Sequence, residues 1–263
     1  MSPLAAILGQ IVDNRRLKIE ADFGSGVLAG VPTEGIGLVE NGFLDSLRLH
    51  RGRSLIAEVK MGSPRMGSLQ GRIDPLEQAR IYAQQGAAAL SVVVEPDFFF
   101  GSYELLTECR HQSGLPAIAK DFVVHPVQLD WARQAGADAV LLIAALFSVT
   151  ELATYVTYAR SLELVPLIET HNAADVEKLS GSEWEIVGVN NRNLETFEVD
   201  LDHSMALVAS LPVGALKVSE SGIATAGDMG RLATAGFDAF LVGETLLLAD
   251  DPGAKLRELL GGL

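Results

Sequence analysis

The chain has 263 residues, 48% of them hydrophobic, which suits one large globular domain. Its formal net charge of −14 argues against a nucleic-acid or anionic-membrane partner, since each needs a basic face, yet leaves room for a small phosphorylated molecule held by local donors. The single cysteine, Cys109, rules out an intramolecular disulfide, fits a reducing cytoplasm and reads as an inert structural thiol in a helix-like stretch, Tyr103–Arg110.

From the start of the chain, Pro3–Glu20 reads as a helix. Its apolar stretch Leu4–Val12 lacks a basic leader and is followed by Asp13, Arg15, Arg16 and Lys18, so it is amphipathic and not a signal peptide. No run approaches the roughly 18 apolar residues that a membrane span needs. Gly-rich Asp22–Gly42 reads as a loop and Phe43–His50 as a short helix. From Leu55 onward, apolar runs of strand length alternate with helical patterns. The strands are Leu55–Val59, Leu90–Val94, Ala117–Ala119, Val140–Ile143, Pro166–Ile168, Ile186–Val189, Leu216–Val218 and Phe240–Val242. Each is continuously apolar, as strands covered on both faces by helices are. Asp74-Pro75 opens a helix with an N-cap and a proline at the first helical position. Val127–Gln134, Glu151–Arg160, Ala173–Leu179, Ser204–Leu211 and Gly227–Ala235 are further helices.

A weak repeat runs through this alternation. Gly86-Ala87-Ala88-Ala89, Gly136-Ala137-Asp138-Ala139 and Gly236-Phe237-Asp238-Ala239 each follow a helix and precede a strand. The glycines are 50 and 100 residues apart, so if they precede strands two, four and eight, each βα unit takes 25 residues. At such a position glycine ends a helix in the left-handed region, where a Cβ is penalised. The even strand count favours a closed (β/α)₈ TIM barrel over an open doubly wound sheet. The expectation is an α/β chain forming a single barrel domain over residues 1–263, with residues 1–50 as an N-terminal helical and loop extension.

Polar residues follow several of these runs closely. Residues i and i+2 of a strand face the same way, so Glu58 and Lys60 project together after the first strand, and Asn190 and Arg192 after the sixth. Lys120 ends the third strand, Glu169 the fifth and Glu220 the seventh. Any one of these reads as a residue that has merely left the core. Two lysines, three glutamates, one asparagine and one arginine at five strand ends, which a barrel brings to one mouth, read as a shared site. Glu220-Ser221-Gly222-Ile223 and Val242-Gly243-Glu244-Thr245 end the last two strands. Their glycines let backbone N–H groups approach an anion, and this is the usual phosphate position of such barrels. None of the five histidines ends a strand and no pair has metal-ligand spacing, so neither a metal site nor a Ser-His-Asp arrangement is expected. His171 reads as a surface loop residue.

Taken together these segments resemble the indole-3-glycerol phosphate synthases. The similarity begins with Ile56-Ala57-Glu58-Val59-Lys60-Met61-Gly62-Ser63-Pro64 and continues through Phe99-Phe100-Gly101-Ser102, Ala119-Lys120-Asp121-Phe122 and Pro166-Leu167-Ile168-Glu169. Val189-Asn190-Asn191-Arg192, Glu220-Ser221-Gly222-Ile223 and Leu241-Val242-Gly243-Glu244 complete it, in order, from Phe43 to Leu248. The resemblance implies ring closure, decarboxylation and dehydration of 1-(2-carboxyphenylamino)-1-deoxyribulose 5-phosphate in tryptophan biosynthesis, with no cofactor. It implies Lys120 as general acid and Glu169 as general base. Lys60 would assist proton transfer, with Glu58 and Asn190 positioning these groups and Glu220 and Ser221 completing the polar wall. Arg192 would grip the anthranilate carboxylate. Ser63 and the backbone of Gly222, Ile223, Gly243 and Glu244 would line the phosphate site, and Phe99, Phe122 and Leu141 the aromatic slot. A lysine among carboxylates is expected to be held as an ammonium, with desolvation pulling its pKa down towards a useful value.

The chain departs from the family pattern in places. Arg65-Met66 stands where Ser and Lys are usual, Met61-Gly62 where a basic residue and Ala are common, Asn193 for Asp and Ser219 for Ala. The lead-in Asp22–Gly42 is Gly-rich where a charged helix is expected. Two other readings are weighed. A phosphoribosylanthranilate isomerase-like barrel needs a Cys/Asp pair, and Cys109 lies in a helix. A catalytically silent phosphosugar-binding paralogue is opposed by the intact lysines and glutamates. The expected partner is a small phosphorylated substrate; assembly, a homo-oligomer included, is left open.

Overall fold

The computed structural model describes residues 5–24, 36–193 and 198–261. Eight parallel strands close into a ring: β1 (Ser54–Val59), β2 (Ala89–Val93), β3 (Ala117–Lys120), β4 (Ala139–Ile143), β5 (Val165–Thr170), β6 (Ile186–Asn190), β7 (Leu216–Glu220) and β8 (Ala239–Val242). Each pairs in parallel with its neighbours in chain order, and β8 closes on β1 through Ser54 opposite Ala239. All eight expected strands are present, shifted by one or two residues at their ends.

Helices cover the ring. They are α1 (Ala5–Phe23), α2 (Gly42–Leu49), α3 (Pro75–Gln84), α4 (Tyr103–Ser113), α5 (Val127–Gln134), α6 (Val149–Ser161), α7 (Ala173–Glu177), α8 (Leu201–Leu207), α9 (Ala226–Ala235), α10 (Glu244–Leu247) and α11 (Pro252–Gly261). Asp74 caps α3 by accepting from the backbone N–H of Leu76 and Glu77, with Pro75 beginning the helix, as its sequence dictates. The three repeat glycines, Gly86, Gly136 and Gly236, have φ of +93°, +82° and +114°. The aspartates of the repeat have a matching task. Asp138 accepts from Ala117 N at 2.9 Å and from Arg110 Nε at 3.0 Å, and Asp238 accepts from Lys217 N at 2.8 Å and pairs with Arg51. Each ties the start of one strand to its neighbour, at the β3/β4 and β7/β8 seams.

The N-terminal extension touches both ends of the barrel. Phe43, Leu44 and Leu47 of α2 are fully buried and join the interior cluster of Ile56, Ile118, Leu141, Leu167 and Val218, plugging the N-terminal end of the strands. The expected loop Asp22–Gly42 is cut short: Asp22 and Phe23 complete α1, residues 25–35 lie outside the described residues, and Gly42 begins α2. Within α1, Ile11, Val12, Arg15 and Ile19 form the buried face, following helical spacing. That face lies on the segments after β2 and β3. Asn14 donates to Asp97 at 2.8 Å, and Arg15 Nη2 meets Asp121 Oδ2 at 2.6 Å, next to Lys120. A buried ion pair is worth keeping only when the remaining polar atoms are satisfied. On the Asp121 side that condition is met, since it also accepts from Gln128 Nε2 at 2.8 Å, Tyr103 Oη at 3.0 Å and Phe122 N at 2.9 Å, whereas Arg15 Nε is buried without a hydrogen-bond partner. Among the described residues no helix is long and apolar enough to cross a membrane.

Candidate active site

The site is the inward register of the barrel carried one layer further. Ile56, Ile118, Leu167, Ile186, Val218 and Leu241 belong to the interior cluster. Two residues on, the same faces carry Glu58, Lys120, Glu169, Gly188, Glu220 and Gly243. The carboxylates are therefore enclosed, with Glu58, Glu169 and Glu220 exposed by only 6%, 3% and 0%. The glycines make room for them. A Cβ at Gly188 would lie 2.3 Å from Glu220 Oε1, and one at Gly243 would lie 2.2 Å from Glu58 Oε1. Sequence reasoning gave Gly243 a phosphate role alone; its lack of a side chain also accommodates Glu58. Gly188→Ala is expected to lower turnover and to cost about 1–3 kcal/mol of stability by overpacking. Parental turnover and Tm would show instead that Glu220 has space to retreat.

The lysines and carboxylates interlock. Glu58 takes Lys60 Nζ on one oxygen at 2.8 Å and Lys120 Nζ on the other at 3.1 Å, and Lys120 also stands 3.6 Å from Glu220 Oε2. Burial opposes the charge on Glu58, but the two ammonium groups outweigh it and hold this carboxyl down at about 2. Around Lys120 the carboxylates prevail over burial. Burial does lower its pKa, but Glu58, Glu220 and Glu169 together more than reverse that, so it is held firmly as an ammonium. Glu169 and Glu220 interact directly and cannot both ionise cheaply. Burial raises both; Glu220 is pushed well up by its neighbour Glu169, whereas His171 and Lys120 hold Glu169 below the usual carboxylate range.

The loops above complete the mouth. Asn190 Oδ1 accepts from Arg192 N at 3.0 Å, and the Arg192 guanidinium reaches Glu244 Oε2 at 3.4 Å. Asn191, buried, donates to Ser219 Oγ at 3.0 Å and to the carbonyls of Glu220 at 2.9 Å and Ser221 at 3.0 Å, so the serine that departs from the family pattern has a defined partner. Ser221 and Gly222 take φ of +66° and +77°. Ile223 directs its side chain into the outer hydrophobic layer between ring and helices, so only its backbone serves the loop; its carbonyl accepts from Thr245 Oγ1 at 2.6 Å. That bond joins the segments after β7 and β8, where the phosphate was expected.

After β1, Gly62–Ser63 pairs with Gly67–Ser68 as a small hairpin, and Ser63 Oγ accepts from Met66 N at 3.1 Å. The hairpin extends Arg65 across to the carboxylate of Glu244, beside Arg192. On the apolar side the rings of Phe99 and Phe122 meet at a tilt of 37° with centroids 5.8 Å apart, and Phe122 packs on the interior cluster that contains Leu141.

Three contributors escaped the sequence reading. Glu95 is fully buried and accepts from the backbone N–H of Asp97, Phe98 and Phe99 at 3.0, 2.7 and 2.9 Å, fixing the turn that presents Phe99. Asp121 anchors the segment after Lys120 to α1. His171 is not a surface residue: it is 8% exposed, and its Nε2 lies 3.1 Å from Glu169 Oε1. The rule that paired Glu58 with Lys60 would have found two of these, since Glu95 stands two residues after Val93 and His171 two after Glu169. Cys109 is buried in the outer layer with its thiol pushed up to about 12, chiefly by burial, and is inert there.

An ammonium set among buried carboxyl groups at the C-terminal mouth of a closed parallel ring defines a TIM-barrel enzyme built for acid–base chemistry. The family model for indole-3-glycerol phosphate synthase matches residues 8–259, and the chain belongs to that family. Indole-3-glycerol phosphate synthase from a Polaromonas species is 42% identical over 208 residues, 79% of each chain. The enzyme of that name from Microcystis aeruginosa is 43% identical over 216 residues, 80% of this chain and 73% of its own. Solved structures share the fold at low identity. Thiamine phosphate pyrophosphorylase from Pyrococcus furiosus has a TM-score of 0.59 at 17% identity, covering 81% of this chain and 96% of its own. For 3-hexulose-6-phosphate synthase from Salmonella typhimurium the values are 0.63 and 14%, with 80% and 98% covered.

Proposed function

We propose that this chain is a carbon–carbon lyase that converts 1-(2-carboxyphenylamino)-1-deoxyribulose 5-phosphate to indole-3-glycerol phosphate, with release of CO₂ and water. The observation that carries the reading is the position of Lys120 Nζ, 3.1 Å from Glu58 and 3.6 Å from Glu220, on the strand face that also leads to Glu169 on β5. Ring closure turns a carbonyl oxygen into a hydroxyl, which needs a proton at that atom. An ammonium held among carboxylates can give it and be recharged from them, Lys60 standing on the far oxygen of Glu58. Dehydration then needs a base, and Glu169 is the carboxyl held down towards its ionised form, while burial and Glu169 push Glu220 up. No step calls for a cofactor.

Binding follows the same division of the mouth. Phe99, Phe122 and Leu141 take the aromatic ring, and Arg192 the planar carboxylate until it leaves as CO₂. The backbone around Gly222, Gly243 and Glu244, with Ser63, takes the phosphate. The whole chain works as one unit, and its lone buried thiol suits a reducing cytoplasm. Incubation with the carboxyphenylamino-deoxyribulose phosphate should produce indole fluorescence; none at any enzyme concentration overturns the reading.

Arg65 enters this scheme as an anion contact that waits on Glu244. Its forked donors suit a phosphate or carboxylate, and the hairpin already holds it beside the proposed anion site. Arg65→Ala should raise KM several-fold at low ionic strength, with the effect shrinking as salt rises. An unchanged KM would reduce the hairpin to a cover with no part in affinity.

A further inference from the structure

The turn between β5 and α7 holds a buried imidazole against the proposed base. His171 Nε2 stands 3.1 Å from Glu169 Oε1, and its Nδ1 stands 3.9 Å from Asp175 Oδ2, too far for a direct hydrogen bond. The backbone fixes the ring there. His171 N donates to Asp175 Oδ2 at 3.0 Å, and its carbonyl lies 2.6 Å from His203 Nε2 of α8. Asp175 is held in turn by the Asn172 cap at 3.0 Å and by Lys178 at 3.6 Å. Both side chains of the pair, 5% and 4% exposed, are closed to bulk water.

Glu169 and Glu220 compete for one negative charge, and Lys120 faces both, so Lys120 cannot by itself decide which keeps the proton. His171 Nε2 lies close to Glu169 Oε1 without a formed hydrogen bond, and it meets the pair on that side alone. We propose that His171 is a positioning residue for Glu169: its buried Nε2, without a hydrogen-bond partner at rest, donates to Glu169 during turnover, favours Glu169 as the ionised member of the pair and turns the second carboxylate oxygen toward the substrate. The proposal rests on Glu169 being the base of the dehydration. Glu220 on β7 and Lys120 on β3 face the pair from across the barrel, Asp175 from α7 and Lys178 from just after it, and His203 from α8, through the carbonyl of His171.

The test compares His171→Phe, which keeps the bulk and removes the donor, with His171→Gln, whose amide can reach the Nε2 position. The Phe variant should lose about tenfold to a hundredfold in kcat, the weight of one charge-assisted hydrogen bond, with KM within about threefold. The acidic limb of its kcat profile should move up in pH, because Glu169 loses a stabiliser of its ionised form. His171→Gln should restore most of the rate and return the limb. Combining His171→Phe with Glu169→Gln should add no further loss. Parental kcat in His171→Phe overturns the proposal, as does an equal loss in both variants with unmoved limbs, which would mean packing alone. Should Glu169→Gln itself retain turnover, the underlying assignment of the base fails instead, and the two failures are thereby distinct. Circular dichroism melting on each variant separates lost folding from lost chemistry.

Discussion

Lys120→Met is expected to abolish measurable ring closure and to leave the barrel folded. The substitution keeps the stem that lies along β3 and removes only the ammonium, so the interior layer beneath it is undisturbed. What is lost is the proton donor, an effect of about 10²–10⁴-fold for a general acid, or about 3–5 kcal/mol at the transition state. Glu58 keeps Lys60 at 2.8 Å and so remains ionised. Three buried carboxyls then share one ammonium fewer, and Glu169 and Glu220 hold their common proton more tightly. The steady-state rate of indole fluorescence and the melting temperature are the two measurements. A rate within about twofold of the parent would remove Lys120 from the acid's role.

Glu169→Gln is expected to fall almost as far, with a different signature. The amide fills the same volume and can still bond to His171, but it cannot accept a proton from carbon or nitrogen. The loss belongs mainly to the transition state, so kcat should drop steeply while KM changes little. His171 and Lys120 hold Glu169 below the ordinary carboxylate range, so in the parent this base stays available as pH falls through the unperturbed value and fails only below it. An acidic limb that survives unchanged in Glu169→Gln would belong to another group. A pure KM effect would make Glu169 a binding residue.

The strands were legible because each is an unbroken apolar run, a pattern that only strands covered on both faces require. The strand-end charges were legible for the same reason: a single Lys or Glu directly after such a run stands out. Contacts that join distant positions were not. Arg15 and Asp121 are 106 residues apart and neither position announces the other. The space that Gly243 leaves for Glu58 depends on β1 and β8 being neighbours in the closed ring, which is known only once the ring is built. His171 and Glu95 are a different case, since alternation along their own strands already points them inward. The net direction of the Lys120 shift was not legible, because it depends on how many carboxylates the topology gathers around one lysine and whether they outweigh burial.

The paired aspartates of the repeat bear on how such a chain can change. Asp138 and Asp238 fasten the β3/β4 and β7/β8 seams, half a turn apart around the eight-membered ring, at the end remote from Lys120 and Glu169. They act like two clasps on opposite sides of a hoop. The rim they brace keeps its shape whatever hangs from the other rim, so the hairpin carrying Arg65 or the serine at position 219 can drift without threatening closure. Inheritance can therefore treat the two rims as separate ledgers, one recording whether the molecule exists and the other what it accepts.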